Sequence, residues 1–354
     1  MSVTTAGTRT RDYSLVGEGS RRAIDRGLAS ADWYAATIPR KHLKELMRRK
    51  DGPAIRDTAI WLGLLILSGA AGVSFWGSWA AVPFFFVYGV LYGSATDSRW
   101  HECGHGTAFK TRWMNEAVYQ LACFMIMREP TVWRWSHTRH HTDTIIVGRD
   151  PEISVKRPPD ILGMLLNLFA LKSSVLTLRR LALHATGRLT DEEASFIPET
   201  ERWKVFTVAR IYLAILLAVA VLSVSLHSWL PAMLVGLPTL YGGWLTIVHG
   251  VTQHAGLSED VLDHRLNSRT IYMNPISRFL YWNMNYHVEH HMFPMVPYHA
   301  LPALHEAIKD QCPPAYPGIL AAYREIIPAL LRQRLDPDYH IVRELPATAA
   351  RQAA

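Results

Sequence analysis

Apolar residues along this chain gather into long blocks rather than alternating with polar ones. Four blocks stand out: 58–76 (TAIWLGLLILSGAAGVSFW), 79–95 (WAAVPFFFVYGVLYGSA), 211–226 (IYLAILLAVAVLSVSL) and 230–248 (LPAMLVGLPTLYGGWLTIV). Helices of about 17–20 apolar residues match a hydrocarbon core of about 30 Å, so each block predicts a membrane-spanning helix. The third is short, but residues 205–209 extend it and Arg210 can snorkel from near its end. Gly77-Ser78 joins the first pair and His227-Ser228-Trp229 the second, which predicts two tight hairpins. Neither turn carries Lys or Arg, whereas RKHLKELMRRKDGPAIR, before the first block, is strongly basic. The positive-inside rule then puts both turns outside, and both termini and the two long polar stretches in the cytoplasm. The shorter patches NEAVYQLACFMIM and ILGMLLNLFALKSSVLTL read as helices in or near the interface. The fold class expected is an all-α integral membrane protein, with four transmembrane helices in two hairpins and a cytoplasmic helical cap. Residues 1–30 lack an apolar pattern and predict disorder, as does the end of the tail 336–354, ELPATAARQAA, leaving one folded unit over 31–335.

Composition agrees with the pattern: 49% of residues are hydrophobic and 19% charged. The net charge of +7 comes largely from basic residues flanking apolar blocks, which favours a membrane surface over nucleic acid. Cys103, Cys123 and Cys312 form no CxxC pair, so neither a disulfide framework nor a zinc site is expected. The N-terminus has no apolar h-region, so no cleavable signal peptide is expected.

The chemistry lies in the histidines. HECGH supplies His101 and His105, HTRHH supplies His137, His140 and His141, and HVEHH supplies His287, His290 and His291. Spacings of i, i+3 and i+4 place imidazoles on one helical face. The second and fourth apolar blocks both leave the membrane on the cytoplasmic side and run directly into histidines, with His249 and His254 after the fourth. Eight box histidines and His254 exceed the four ligands of one zinc and suit two metals held by neutral nitrogen. Imidazole is compatible with zinc, copper, iron and nickel, so spacing alone leaves the metal open. His42, His184, His227, His264 and His340 read as ordinary packed residues, and His299 and His305 as surface or supporting ones. His249 is open between support and packing. Glu102, Glu289, Asp143, Asp150 and Glu152 are candidates to accept the outer N–H of a ligand ring.

These boxes resemble the three histidine boxes of the membrane fatty acid desaturase superfamily, together with HHTDTIIVGRDPE after the second box and NYHVEHHMFPMVPYHALPALH around the third. The resemblance covers roughly residues 55–325 and implies a di-iron centre held by His101, His105, His137, His140, His141, His254, His287, His290 and His291. It implies dioxygen as co-substrate, a fatty acyl or lipid substrate, and electrons from a separate donor such as a ferredoxin, rubredoxin or small cytochrome. Nucleic acid is not an expected partner, and no catalytic residue beyond the ligands is singled out. Some relatives carry asparagine where Gly250 stands, four residues before His254, and many front-end desaturases carry glutamine where His287 stands. No HPGG haem-binding motif is present. The same scaffold also serves hydroxylation of an alkane or lipid-like molecule, and decarboxylation to a terminal alkene. A non-catalytic metal-binding or transport protein would instead place ionisable groups at the bilayer midplane, where these blocks have almost none. Trp282, Tyr286 and Phe293 are candidates for a substrate tunnel or, more simply, for core.

Overall fold

A computed structural model describes residues 11–29 and 31–346. Among these the chain is all-helical, with only isolated bridges, Thr270 to Tyr286 and Ile271 to Tyr316, in place of a sheet. Helix α1 (Glu18–Asp25) and α2 (Arg40–Leu46) precede α3 (Asp51–Ser74), 24 residues long and without a charge over 59–74. At about 1.5 Å per residue it is long enough for a hydrocarbon core. The Gly77 turn, at φ +86°, returns the chain as α4 (Ala81–Gly89). The two helices lie close because a Cβ at Gly69 or Gly72 would sit 3.0 Å from Tyr88 or 2.9 Å from Phe85.

The second apolar block does not end where its hydropathy does. Helix α4 passes through a π-turn, Val90–Ser94, into α5 (Ala95–Gly104), which carries His101 and delivers His105 at its end. The carbonyls loosened by the π-turn find side chains: Trp61 Nε1 donates to Leu91 O at 2.8 Å, and Thr96 Oγ1 donates to Tyr92 O. Such turns often mark functional sites, and this one sets the rotation at which the first box leaves the apolar block.

Helices α6 (Arg112–Met125), α7 (Pro130–Thr142), α8 (Ile161–Asn167) and α9 (Leu171–Ala185) follow, the last two bent by 82° about Ala170. After the short α10 (Asp191–Ala194), which begins with a capping box between Thr190 and Glu193, comes α11 (Glu199–Ser225), 27 residues long. The fourth apolar block is not one helix. It is divided into α12 (Leu230–Leu234), α13 (Pro238–Gly242) and α14 (Trp244–His254) by Gly236 at φ +93°, Pro238 and the pair Gly242-Gly243. The glycines let the segment approach the first hairpin: a Cβ on Gly242 would fall 1.9 Å from the Gly89 carbonyl, inside the Gly89-x-x-x-Gly93 stretch. Among the described residues, two helices are long and apolar enough to cross a membrane, or three if the bent pair α8–α9 counts as one span.

The chain closes with α15 (His264–Asn267), α16 (Pro275–Leu280), α17 (His287–Met292), α18 (Leu301–Ile308) and α19 (Ile319–Gln333). The largest core joins α3, α4 and α5 to the third-box region, and Trp282 and Tyr286 belong to it. Trp282 stacks on Tyr298 at 4.3 Å, and Phe293 packs against the same core, so these aromatics are packing rather than the wall of a tunnel. The three cysteines are free and buried.

The disorder expected over 1–30 is corrected for residues 11–29; residues 1–10 and 30 lie outside the described ones. Arg11 is ion-paired with Glu259 and, at 2.7 Å, with Asp338, while Tyr13 OH donates to Glu259 at 2.9 Å. Ala23 and Leu28 pack with Ile146. In the tail, Ile341 is buried and donates its N–H to Gly256 O at 2.9 Å, whereas 347–354 lie outside the described residues.

Candidate metal centre

Four elements converge on one place: the end of α5, α7, the end of α14, and α17. Helix α7 starts cleanly because Pro130 occupies its first turn and the Glu129 carboxylate accepts from Val132 N at 2.7 Å. Helix α17 is aimed by the turn before it, where Trp282 and Asn283 take φ of +43° and +56°. Asn283 Nδ2 ties that turn to Tyr298 O at 3.0 Å.

The structure brings all nine histidines named above together, in two groups. His101, His105, His137, His141 and His290 form one, and His140, His254, His287 and His291 the other; within each group one ligand-competent atom per residue lies within 4.8 Å of the rest. In the first, Nε2 of His101 is 2.8 Å from Nε2 of His290, and His137 Nε2 is 3.1 and 3.2 Å from those of His105 and His141. In the second, His287 Nε2 is 3.0 Å from both His254 Nε2 and His291 Nε2. The groups adjoin, with His141 stacked on His291 at 4.4 Å between centroids.

The outer nitrogens settle the tautomers. His137 Nδ1 donates to Glu152 at 2.9 Å, His140 Nδ1 to Asp150 at 2.8 Å, and His254 Nδ1 to Asn267 O at 2.7 Å. His291 Nδ1 donates to Thr144 Oγ1 at 3.2 Å, an oxygen whose own proton goes to His140 O. With Nδ1 protonated, each Nε2 turns a lone pair inward. Burial holds His101, His105, His141, His254, His287, His290 and His291 well below the usual imidazole range, so these rings are neutral, as metal ligands must be. Burial works the same way on His140, but Asp150 outweighs it and raises that ring. Burial would raise Glu152, but His137 and Ser136 outweigh it and hold it at about 2. Inward lone pairs at about 3 Å repel one another unless a cation lies between them. The donor set therefore fits two metal ions.

Of the five carboxylates singled out by sequence, only Asp150 and Glu152 take a box N–H directly. Glu102 Oε1 sits 3.7 Å from His290 Nδ1 without a hydrogen bond, and burial pushes that carboxyl up to about 8. Glu289 turns away to Thr270 and His305, each at 2.5 Å, and Asp143 pairs with Arg149 at 3.1 Å. His305 is thus a buried support of α17, while His299 is half-buried.

His249 stands outside both groups, its ring 4.5 Å from Tyr281. Of the histidines read as ordinary packing, His184 is buried against Glu193, but His42, His227 and His340 are exposed. His264 differs from all of these. It is buried, 5.1 Å from the His291 ring, stacked under Trp33 at 4.3 Å, and its Nδ1 has no partner. Sequence reasoning also passed over Thr144 and Asn267. Thr144 sits four residues after His140, a spacing that could have found it; Asn267 acts through its carbonyl, for which side-chain identity gives no signal.

Residues 77–323 match the family described as fatty acid desaturase. Three curated relatives are similar in sequence. A Delta(5) fatty acid desaturase of Caenorhabditis elegans is 27% identical, the alignment covering 59% of this chain and 53% of the relative. An endoplasmic reticulum omega-6 fatty acid desaturase of Glycine max is 29% identical over 61% of this chain and 63% of the relative. A Delta(12) fatty acid desaturase of Calendula officinalis is 24% identical over 61% and 64%. The chain thus spans between half and two-thirds of the length of these relatives. The profile match runs through all three boxes and both histidine groups, and on it the chain belongs to the fatty acid desaturase family.

Proposed function

We propose that this protein is a membrane di-iron, dioxygen-dependent fatty acyl desaturase that removes two hydrogens from adjacent carbons of a positioned chain. The observation that carries the reading is the division of nine imidazoles, six buried and three half-buried, into adjoining groups of five and four whose ligand-competent atoms converge. In this reading the first group holds one iron and the second the other. The bound irons supply the oxidising power, from dioxygen and donated electrons, that an unactivated alkyl chain demands. The residues of the chain do the rest. Glu152, Asp150, Asn267 O and Thr144 fix ring tautomer and orientation, and the buried α17 keeps water from the inner faces of the rings. The four-span arrangement, with cap and termini in the cytoplasm, belongs to the same proposal. Its broken fourth element would be completed against Gly89 and Gly93.

In this reading a cavity beside the first group is the substrate path. This cavity of 520 Å³, within the range of small-molecule sites, has a mainly apolar wall that includes Ile126, Met127, Leu178, Leu216, Leu240 and Ile247, with the hydroxyls of α9 and with Asp97, Arg128 and Trp133 also lining it. Asp97 precedes His101 by one helical turn and Trp133 precedes His137 by one. Trp100 stands behind them, 5.5 Å from Trp133 and 5.4 Å from the His137 ring, and Arg128 lies over both indoles. An acyl chain entering this cavity from the lipid side arrives next to the first group.

The test is mass spectrometry of lipids from a host expressing the wild type beside His290→Ala, with an iron count on the purified wild type. A new product lighter than its parent by two hydrogens, with about two irons per chain, is the expected result. A product heavier by one oxygen would keep the centre and replace desaturation by hydroxylation. Loss of carbon dioxide would identify the alkene-forming variant. No iron and no product would sink the proposal.

A further inference from the structure

His105 is one of two half-buried members of the first group, and the structure leaves it at the floor of an opening to solvent. Gly104 and Gly106 flank it. Gly106 takes φ +67° with nothing within 4 Å of where a Cβ would be, so no side chain closes the mouth. The cavity, 450 Å³, is walled by Arg49, Lys110, Arg112 and Arg134. Arg134 is paired with Glu116 at 2.8 Å, but Arg49, Lys110 and Arg112 have no ion-pair partner among the described residues. The opening continues into a shallow surface basin of 770 Å³ that shares Arg49 and Lys110 and adds Arg48 and Lys50, also without ion-pair partners there. Two carboxylates stand here: Glu116, taken up by Arg134, and Asp51 beside the rim, which accepts from Thr111 N and Oγ1, both at 2.8 Å. The excess is basic, and an excess of one sign around an opening with low-dielectric walls focuses the field on whatever lies inside it.

We propose that this basic funnel is the docking surface for an acidic one-electron carrier protein, and that electrons enter the centre at the exposed edge of His105. The inference rests on the di-iron reading above and names its partner and entry point. Each encounter would move one electron: the carrier's redox centre would be oxidised by one electron and a ferric ion held by His101, His105, His137, His141 and His290 reduced to ferrous. Electron transfer falls steeply with distance, so a carrier gains from docking where a ligand edge reaches the surface. The apolar cavity shares no lining residue with the funnel, so substrate and carrier do not compete for one mouth. Anionic lipid is the rival occupant of residues 48–50, which immediately precede the first apolar helix. It would explain basic residues at the membrane edge but not Lys110 and Arg112 arranged around a half-buried histidine.

The test uses the full chain in nanodiscs and reduced [2Fe–2S] ferredoxin, rubredoxin and cytochrome b5 as acidic carriers, with methyl viologen radical cation as a small reductant needing no basic surface. In wild type, at least one carrier should bind both the metal-free and the iron-loaded chain, and reduce the latter at a rate that falls as salt rises. The triple variant Arg49→Gln, Lys110→Gln, Arg112→Gln should lower that rate and affinity at least tenfold at low salt and flatten the salt dependence. Its iron content and its reduction by viologen should not change. Arg49→Lys with Arg112→Lys should keep wild-type behaviour. The proposal is overturned if no carrier binds in a salt-sensitive way, or if the triple variant is reduced at the wild-type rate. It is equally overturned if viologen reduction slows in parallel, or if the only defect depends on anionic lipid while carrier affinity is unchanged. Should the chain take up no iron, the di-iron reading fails, while carrier binding to the metal-free chain still decides the docking surface.

Discussion

The two histidine groups share helices but are anchored differently. In the group of four, His140, His254 and His291 each have an outer nitrogen fixed by Asp150, Asn267 O or Thr144, and Trp33 and His264 cover one side. In the group of five, His137 has its outer nitrogen held by Glu152, while those of His141 and His290 have no hydrogen bond, nor has that of His287 in the group of four. The more open group also owns His105, at the floor of the basic funnel, and adjoins the apolar cavity through Trp100. In the proposed reading the contrast is a division of labour: the group of four is the more tightly anchored, and the group of five is the one that would meet electrons and substrate. The largest expected effect treats them as one. Removing a ligand from either, by His290→Ala in the first or His287→Ala in the second, should abolish turnover and lower bound iron, read by metal analysis, while the chain still inserts in the membrane. Full activity in either variant would end the di-iron assignment.

A smaller effect separates them. Asp150→Asn and Glu152→Gln each remove the charge from an acceptor of a ligand N–H, a change that typically lowers metal affinity about 10–100-fold. Asp150 also accepts from Ile145 N at 2.8 Å and Glu152 N at 2.7 Å, so it organises the loop after the second box as well as His140. Asp150→Asn should therefore cost more affinity than Glu152→Gln, and should empty the second group first. Competition with a chelator, followed by iron counting, checks the order; equal losses would mean the groups are equally anchored.

How far this contrast was legible in sequence depends on angle. The spacing put three imidazoles of a box on one face, but at 3.6 residues per turn neighbours lie about 100° apart, so His140 and His141 cannot face one point. The structure resolves this by sharing: His137 and His141 go to the first group and His140 to the second, whereas His287 and His291 go to the second and His290 to the first. The i, i+4 pairs stay together in both boxes, and that rule was available from spacing alone. The broken fourth block was also written in the sequence, in Pro231, Gly236, Pro238 and Gly242-Gly243, but apolar count outweighed the breakers. Order in residues 11–29 was not legible, because its partners Glu259, Asp338 and Ile146 are far away in sequence and nothing local announces them. His264 looked like one more isolated histidine for the same reason.

His264 sharpens the comparison further. It packs against the second group without joining it, so His264→Leu, which keeps an apolar body under Trp33, should retain about two irons and lose less than about tenfold in turnover, the low end expected of an outer support. A fall to one iron per chain would make His264 a fifth member of the second group, and the five-to-four asymmetry would disappear.

The smallest effects lie outside both groups and test whether burial alone makes a histidine matter. His184 Nε2 meets Glu193 Oε2 at 3.0 Å, and both side chains are buried. Removing one partner of a buried polar pair costs about 1–3 kcal/mol, so His184→Ala should lower the unfolding midpoint in detergent. Glu193 keeps Thr190 N at 3.0 Å and Arg180 at 3.4 Å, which limits the loss. His42, exposed on α2, should tolerate Ala within about 0.5 kcal/mol. In both variants turnover per bound iron should equal wild type, because neither ring belongs to a group. If His184→Ala lowers turnover per iron while His42→Ala does not, burial far from the centre feeds into the chemistry, and the line between ligand and packing histidines has been drawn too sharply.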